Sequence, residues 1–310
     1  VSTPVIKILP ATEIDFQKWD TVVSESVNPS VFAYSWYMQP LTRGKWYGLI
    51  YGDYEAVMPL NIVRRAGVKY LAQPVFSRDL ALQQQEGLNC ENDVFSFLAA
   101  QFRLVNIGFP GTQIPDNGFE GAASVYQQLK LSEEYSLQAQ RYSTNAVRML
   151  KKFDKEQGVI GVPESSEVIV DLFRHEKGNE FSNLKSSHYM VLLHLMKHIE
   201  GQGRARMIEA RIDGELAAAA FFVITHHTIL FLKGAATVTG KKAGAVYAIF
   251  DAVIREFSET DVTLDFGGSR NEGLAAFNKK FGAQDKNYLI LTRNNTAWPV
   301  NALVRKKWKK

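Results

Sequence analysis

The chain has 310 residues, 46% hydrophobic and 22% charged, which excludes a largely disordered protein and gives a prior of about two domains. The longest apolar run, Leu216–Ile224, is far too short to span a membrane, no basic-then-apolar leader is visible, and the single cysteine, Cys90, leaves no intrachain disulfide and no thiolate metal cluster, so a cytoplasmic protein is expected. The net charge is +4, but the tail Arg305–Lys310 holds five basic residues and the rest carries −1, which argues against a broad DNA-binding surface and leaves the tail as a solvated end or a weak contact to a membrane surface.

Residues 46–63 read as strand, tight turn and strand, with Gly52-Asp53 between β-branched and aromatic runs. Val94–Phe102 reads as an apolar helical stretch leading into a short strand, Leu104–Phe109. The short polar stretch Leu131–Ser136 marks the expected boundary, giving domains 1–136 and 137–310. Ser143–Gln157 reads as a basic amphipathic helix. Ala146, Leu150 and Phe153 share one face, Arg148, Lys151, Lys152 and Lys155 lie elsewhere, and Gly158 stops it. Two more helical patterns cover about 166–179 and 186–202. Residues 207–224 form a second hairpin around Asp213-Gly214, and Thr228–Lys233 is a third strand after the turn His226-His227. A loop containing Gly and Lys follows, then a helix at about 244–257, a strand at 262–267, a helix at 271–281 and a strand at Asn287–Thr292. The two hairpins are offset by about 161 residues and the two helix–strand pairs by about 157, so the pattern predicts a duplicated α/β unit.

The loop Gly234–Lys242 departs from the nucleotide-binding consensus. Five residues separate its glycines rather than four, and Lys242 stands where a hydroxyl should hold the metal ion. What remains at Gly240, Lys241, Lys242 and Gly244 is a candidate pyrophosphate loop that needs no metal, with backbone amides, a helix dipole and two ammonium groups. The competing reading is a strand-to-helix connection whose glycines serve geometry. His194 and His198 have a metal-ligand spacing, but Leu195 stands where a zinc protease has Glu and no nearby carboxylate completes a set, so no metal is expected. Gly267-Gly268-Ser269 lacks the glycine spacing of a hydrolase elbow. Glu91 and Asp93 should raise the pKa of Cys90 and make it a poor nucleophile.

The most informative segment is Leu264–Ala283. A strand ends in Asp265-Phe266-Gly267-Gly268-Ser269, a polar turn follows, and a helix places Leu274, Phe277 and Phe281 on one face before Gly282 closes it. This resembles the end of the FemABX-like acyltransferases of the GNAT (N-acetyltransferase) superfamily, which carry a similar Asp-Phe-Gly-x-Ser strand end and then Phe-x-x-x-Phe-Gly-Ala. Tyr51–Leu60 and Lys69–Pro74 are similar to the first half of bacterial relatives, and the basic helix Asn145–Lys152 sits where that family has one. The resemblance covers most of the chain. It implies an α/β (α+β) fold of two tandem GNAT-like domains, each a mixed, mainly antiparallel sheet flanked by helices. Three departures stand out. Lys241-Lys242-Ala243-Gly244-Ala245-Val246 keeps only a cation and the first glycine of the family's pyrophosphate loop; Asn278 stands where many GNAT enzymes have a Tyr acid; and the coiled-coil arm of the aminoacyl-tRNA-dependent members is absent.

What the resemblance implies is transfer of a carrier-activated acyl or aminoacyl group to an amine on a small molecule or peptide. Because such a donor is already activated, holding the amine against the carbonyl supplies much of the rate. A backbone amide can stabilise the oxyanion, and a modest base can take the ammonium proton. The second domain would carry the donor pocket, with Gly240, Lys241, Lys242 and Gly244 at the phosphate end of an acyl-CoA. Asp265 and Ser269 would lie near the reacting centre, Asp265 alternatively capping the following turn. Arg148, Lys151 and Lys152 would hold anionic groups of the substrate. Two further readings stay open: a non-catalytic interaction protein that keeps the fold, and a peptidoglycan-precursor aminoacyltransferase that uses tRNA, a partner the missing arm argues against.

Overall fold

The protein is described by a computed structural model covering residues 4–65, 67–180, 184–268 and 272–297. It forms two compact units, Val1–Ser124 with Asn287–Lys310, and Val125–Lys286. These differ from the division read at Leu131–Ser136: that stretch lies inside the second unit, and Asn287–Thr292 belongs to the first. No helix among the described residues is long and apolar enough to cross a membrane.

The first unit runs through β1 (Ile6–Pro10), α1 (Phe16–Glu25), α2 (Ser35–Thr42), β2 (Tyr47–Tyr51), β3 (Ala56–Leu60), β4 (Ile62–Arg65), β5 (Val68–Ala72), β6 (Gln83–Gln84), α3 (Glu91–Gln101) and β7 (Leu104–Phe109). Strands β1, β2, β3 and β6 make one sheet; β4 and β5 form a separate hairpin, and β5 runs parallel to β7. Helix α1 begins where the Asp15 side chain accepts from the N–H groups of Gln17 and Lys18, and it buries Trp19, which meets Trp46 edge to face at 5.1 Å. The expected hairpin at 46–63 is present, but its turn is longer than Gly52-Asp53. Tyr51 pairs with Ala56, and Tyr54, at φ 65°, turns its hydroxyl onto the Asp15 N–H at 2.8 Å.

The second unit takes up β8 (Glu120–Lys130) from residue 125. It continues with α4 (Tyr135–Gln140), α5 (Thr144–Lys155), β9 (Val159–Gly161), α6 (Ser166–Lys177), α7 (Ser186–Gly201), β10 (Ala205–Ile212), β11 (Glu215–Ile224), β12 (Thr228–Ala236), α8 (Val238–Ala243), α9 (Ala245–Phe257), β13 (Thr263–Gly268) and α10 (Glu272–Lys279). The final strand, β14 (Gln284–Asn294), belongs to the first unit from residue 287 and sets Leu289 opposite Phe109. Within the second unit the strand order is β9-β10-β11-β12-β13-β8, antiparallel except for β12 and β13. Asp213 and Gly214 both adopt positive φ, 51° and 79°, the requirement of a two-residue hairpin turn whose twist matches its strands. Residues Ala217–Val223 of β11 are buried without a break, as expected of a strand covered on both faces. On one face lies α9, whose Phe250 is within 5.8 Å of the rings of Phe222, Phe231, Phe266, Phe277 and Phe281. The stretch 238–243, expected as loop, is the short helix α8.

Both units therefore carry two parallel neighbouring strands with a helix between them, β5–α3–β7 and β12–α9–β13. They differ in that the hairpin β2–β3 of the first unit is in a separate sheet, whereas β10–β11 of the second is continuous with the parallel pair.

Candidate functional site

The parallel strands β12 and β13 pair only at their starts, Thr228, Ile229 and Leu230 opposite Thr263, Leu264 and Asp265. Crevices beyond the carboxyl ends of such strands are where open sheets receive ligands. Past β12, Thr237 caps α8: its Oγ1 accepts from Gly240 N at 3.0 Å and donates to Ala217 O at 3.3 Å. Gly240 lies on β11, where a Cβ would stand 2.0 Å from Ala217 O. Gly244, at φ 91°, closes α8 and opens α9, and a Cβ there would stand 2.3 Å from Met149 O. Both glycines thus meet a packing requirement, the second also a conformational one.

The amides of this turn are partly committed. Gly240 N–H goes to Thr237 Oγ1, Lys241 N–H to Thr237 O and Gly244 N–H to Gly240 O. The first backbone bond of α9 runs from Ala248 N to Gly244 O at 3.1 Å, so the amides of Ala245, Val246 and Tyr247 precede it at the positive end of a 13-residue helix. The amides that can meet an anion are therefore one step later in the chain than the loop read from the sequence. Lys241 and Lys242 are exposed. Lys241 Nζ is 3.7 Å from Glu176 Oε2 of α6, whereas Lys242 makes no ion pair among the described residues. A third cation lies beside this helix start: Lys280 Nζ donates to Tyr247 Oη at 3.0 Å and to Asn145 Oδ1 at 3.2 Å. Sequence reasoning did not single it out, although it stands just before the Phe281-Gly282 helix end.

Lys233 was missed for a different reason. Phe221 pairs with Lys233 and Phe222 with Phe231, so Leu232 is an extra residue, and this bulge turns Lys233 away from the Phe231 face. Its Nζ lies 5.5 Å from the Phe173 ring of α6, and burial pushes its pKa below the usual lysine value. The only local signal was a lone lysine in an apolar strand.

At the end of β13, Asp265 is buried; its Oδ1 accepts from Gly267 N at 2.8 Å and its Oδ2 from Gln128 Nε2 at 3.4 Å. The bond to the amide two residues on holds the backbone at the irregular step of β13 between Asp265 and Gly268. Ser269 lies outside the described residues, as does the tail Arg305–Lys310. Asn278 is buried and donates to Gln127 Oε1 at 3.0 Å; Gln127 Nε2 donates to Asp285 Oδ1 at 2.9 Å, and Lys279 Nζ to Asp285 Oδ2 at 2.6 Å. The side chain at the position of the family's Tyr acid is thus committed to an amide chain.

Helix α5 starts at Ser143, whose hydroxyl accepts from Ala146 N, and it exposes Arg148, Lys151 and Lys152. Lys151 lines a cleft of about 620 Å³ with Val147 and Leu150, facing Ala248, Asp251 and Arg255 of α9; Arg148 and Lys152 do not line it. Asp251 Oδ1 accepts from Tyr135 Oη at 2.7 Å and Tyr142 Oη at 3.0 Å, and Arg255 lies 4.0 Å above the Tyr135 ring. Burial first, then Asp251, pushes the Tyr135 phenol up to about 12, and Tyr142 moves in the same direction for the same causes. Both phenols therefore remain hydrogen-bond donors at neutral pH. The signal for this cluster was Asp251 inside the apolar stretch Ala248–Ile254, with Arg255 four residues on.

His194 is exposed, and His198 accepts from Gln202 Nε2 at 3.0 Å; among the described residues no three ligating side chains gather to hold a metal. Cys90 is buried against Gln84, and its thiol is pushed up to about 11. Desolvation is the larger cause, with Asp93 and Glu91 adding to it.

Residues 140–277 match the family described as acetyltransferase (GNAT) domain, a segment that contains the whole β12–α8–α9 junction and β13. A search of curated proteins finds no significant match. Among solved structures, the chain is similar to FemX at 13% identity and a TM-score of 0.68, covering 96% of this chain and 99% of that one. It is also similar to L-PGS from Bacillus licheniformis, at 13% identity and a TM-score of 0.55, covering 94% of this chain and 96% of the other. A tandem GNAT protein from the clavulanic acid biosynthesis pathway gives 11% identity and a TM-score of 0.54, with 93% and 98% covered. At these identities the likeness is one of fold.

Proposed function

We propose, on the premise that the chain is a FemABX-like tandem-domain protein of the GNAT superfamily, that it is an N-acyltransferase moving a carrier-activated acyl or aminoacyl group onto an amine. The observation that carries this is the β12–α9 junction inside the GNAT segment. There a left-handed glycine and three leading amides open one helix, Lys280 donates to Tyr247 of its first turn, and the exposed Lys241 and Lys242 stand just before it in the chain. These residues fit the pyrophosphate end of an acyl-CoA, which would supply an acyl group already activated as a thioester. Lys242 would contribute the larger charge, because Lys241 shares its charge with Glu176. Gly240 and Gly244 let β11, α5 and the turn approach closely enough to hold the amides in place.

Asp265 and Ser269 stay at the reacting end in this reading, Asp265 by fixing the backbone at Gly267, in the irregular step of β13. Arg148, Lys151 and Lys152 would orient an acceptor bearing carboxylate or phosphate groups, Lys151 from within its cleft. A second reading, aminoacyl transfer from tRNA to a peptidoglycan precursor, is favoured by one observation: Val246 replaces the Gly or Ala of the acyl-CoA loop. The test is a transfer assay read by mass spectrometry. The whole chain is given acyl-CoAs or aminoacyl-tRNAs with a panel of amines, amino sugars and muropeptides. Acylation of an amine from an acyl-CoA supports the first reading, and acylation only from tRNA the second. No transfer from any donor by folded protein leaves the non-catalytic one.

A further inference from the structure

The first unit has its own cleft, of about 530 Å³, lined by residues from β1, β2, β4, β5 and α3. Arg64 of β4 and Lys69 of β5 both line it, and the hairpin register sets them directly opposite each other. Like charges in that arrangement repel, which disfavours the hairpin unless something neutralises them. Neither makes an ion pair among the described residues, and no Asp or Glu lines the cleft. Lys69 Nζ instead lies 5.0 Å from the Phe102 ring. Tyr47 and Gln101 add hydrogen-bonding groups to the same concavity, and Phe97 and Ile62 add an apolar wall.

We propose that this cleft binds a phosphate monoester carrying an apolar or aromatic group. The phosphate bridges Arg64 and Lys69, and the apolar part lies on Phe97 and Ile62. A dianion neutralises both cations at once, which a single carboxylate does not, and a guanidinium fork beside an ammonium matches tetrahedral oxygens. A soluble ester and a lipid headgroup share this chemistry. The inference concerns the first unit alone and does not depend on the acyl-transfer reading.

The test is calorimetry on the whole chain with phenyl phosphate and with inorganic phosphate. It is run beside sedimentation with vesicles of phosphatidylcholine, with and without phosphatidic acid. Phenyl phosphate should bind more tightly than inorganic phosphate. Arg64→Gln with Lys69→Gln should weaken it by roughly 10- to 100-fold, and added salt should weaken the wild type. Arg64→Gln alone should raise the melting temperature of the free protein, because it removes the repulsion and leaves the Lys69–Phe102 contact in place; this also shows that the variant folds. Phosphatidic acid vesicles bound by wild type, lost in the double variant and competed by phenyl phosphate would identify a lipid headgroup. Phenyl phosphate binding without vesicle binding would identify a soluble ester. Equal binding by wild type and double variant, or no binding of any probe at millimolar concentration, overturns the proposal.

Discussion

Replacing Gly244 by Ala separates what the β12–α9 junction needs for folding from what it offers a ligand. The residue sits at φ 91°, and a Cβ would stand 2.3 Å from Met149 O and 3.0 Å from Met149 C, both backbone atoms of α5. The left-handed conformation costs an L residue about 1–2 kcal/mol. The overlap cannot be relieved by a rotamer change, so α5 must retreat from α9, and overpacking of this kind costs about 1–3 kcal/mol more. The total of about 2–5 kcal/mol, at roughly 2–4 °C per kcal/mol for a body of this size, lowers the melting temperature by about 4–20 °C. Gly214→Ala is the control: φ is 79° there but nothing lies within 4 Å of the added Cβ, so only the conformational part remains. Thermal unfolding followed by circular dichroism, with refolding checked, measures both. A Gly244→Ala loss no greater than that of Gly214→Ala would refute the packing argument.

Asp265→Ala removes the acceptor of the Gly267 amide and should destabilise by about 1–2 kcal/mol, while Asp265→Asn keeps an acceptor and most of the stability. If Asp265→Asn also retains full transfer activity, the carboxylate is a cap and takes no proton. Cys90, buried and with a thiol pushed up to about 11, should react with iodoacetamide at pH 8 far more slowly in the native protein than in urea. Equal rates, read by mass spectrometry, would contradict its burial. Lys279 first, then Gln127, hold the Asp285 carboxyl below the usual range. The stability it contributes is present above the unfolded carboxylate value and lost as pH falls through the lower folded one. Lys279→Met should therefore flatten the fall of urea midpoint with acid, by a small amount because the pair is exposed.

Local chemistry explains which elements were readable. Asp213-Gly214 declared its hairpin because both residues tolerate positive φ, and α9 declared itself through its apolar spacing. The strand β8 gave no such signal: Glu120–Lys130 is rich in small and polar residues, and it is a strand because of partners far along the chain, such as Thr263 opposite Lys130. Helix α8 escaped notice because Val238, Thr239 and Gly240 are poor helix formers, and the turn is held by the Thr237 cap and by Gly240 resting on β11. The strand-to-helix junction with its two lysines was readable as a place where an anion could sit. The cations Lys233 and Lys280 were not, since a one-residue bulge aims the first and contacts to Asn145 and Tyr247 hold the second. Such positions are set by tertiary packing and leave no periodic trace.

That the β12–α9 junction receives the anionic end of an activated acyl donor is tested most directly by calorimetric titration of the whole chain with acetyl-CoA and longer acyl-CoAs. It is run in low and high salt, alongside Lys241→Ala with Lys242→Ala. Both lysines are exposed, so each contact contributes about 0.7–1.4 kcal/mol. The double variant should bind roughly 10- to 100-fold more weakly, with Lys242 responsible for the larger share and the melting temperature nearly unchanged. Binding to wild type should weaken as salt rises. A wild-type protein that shows no affinity for any acyl-CoA at millimolar concentration, or a double variant that binds as tightly as wild type, contradicts the assignment of the donor end to this junction.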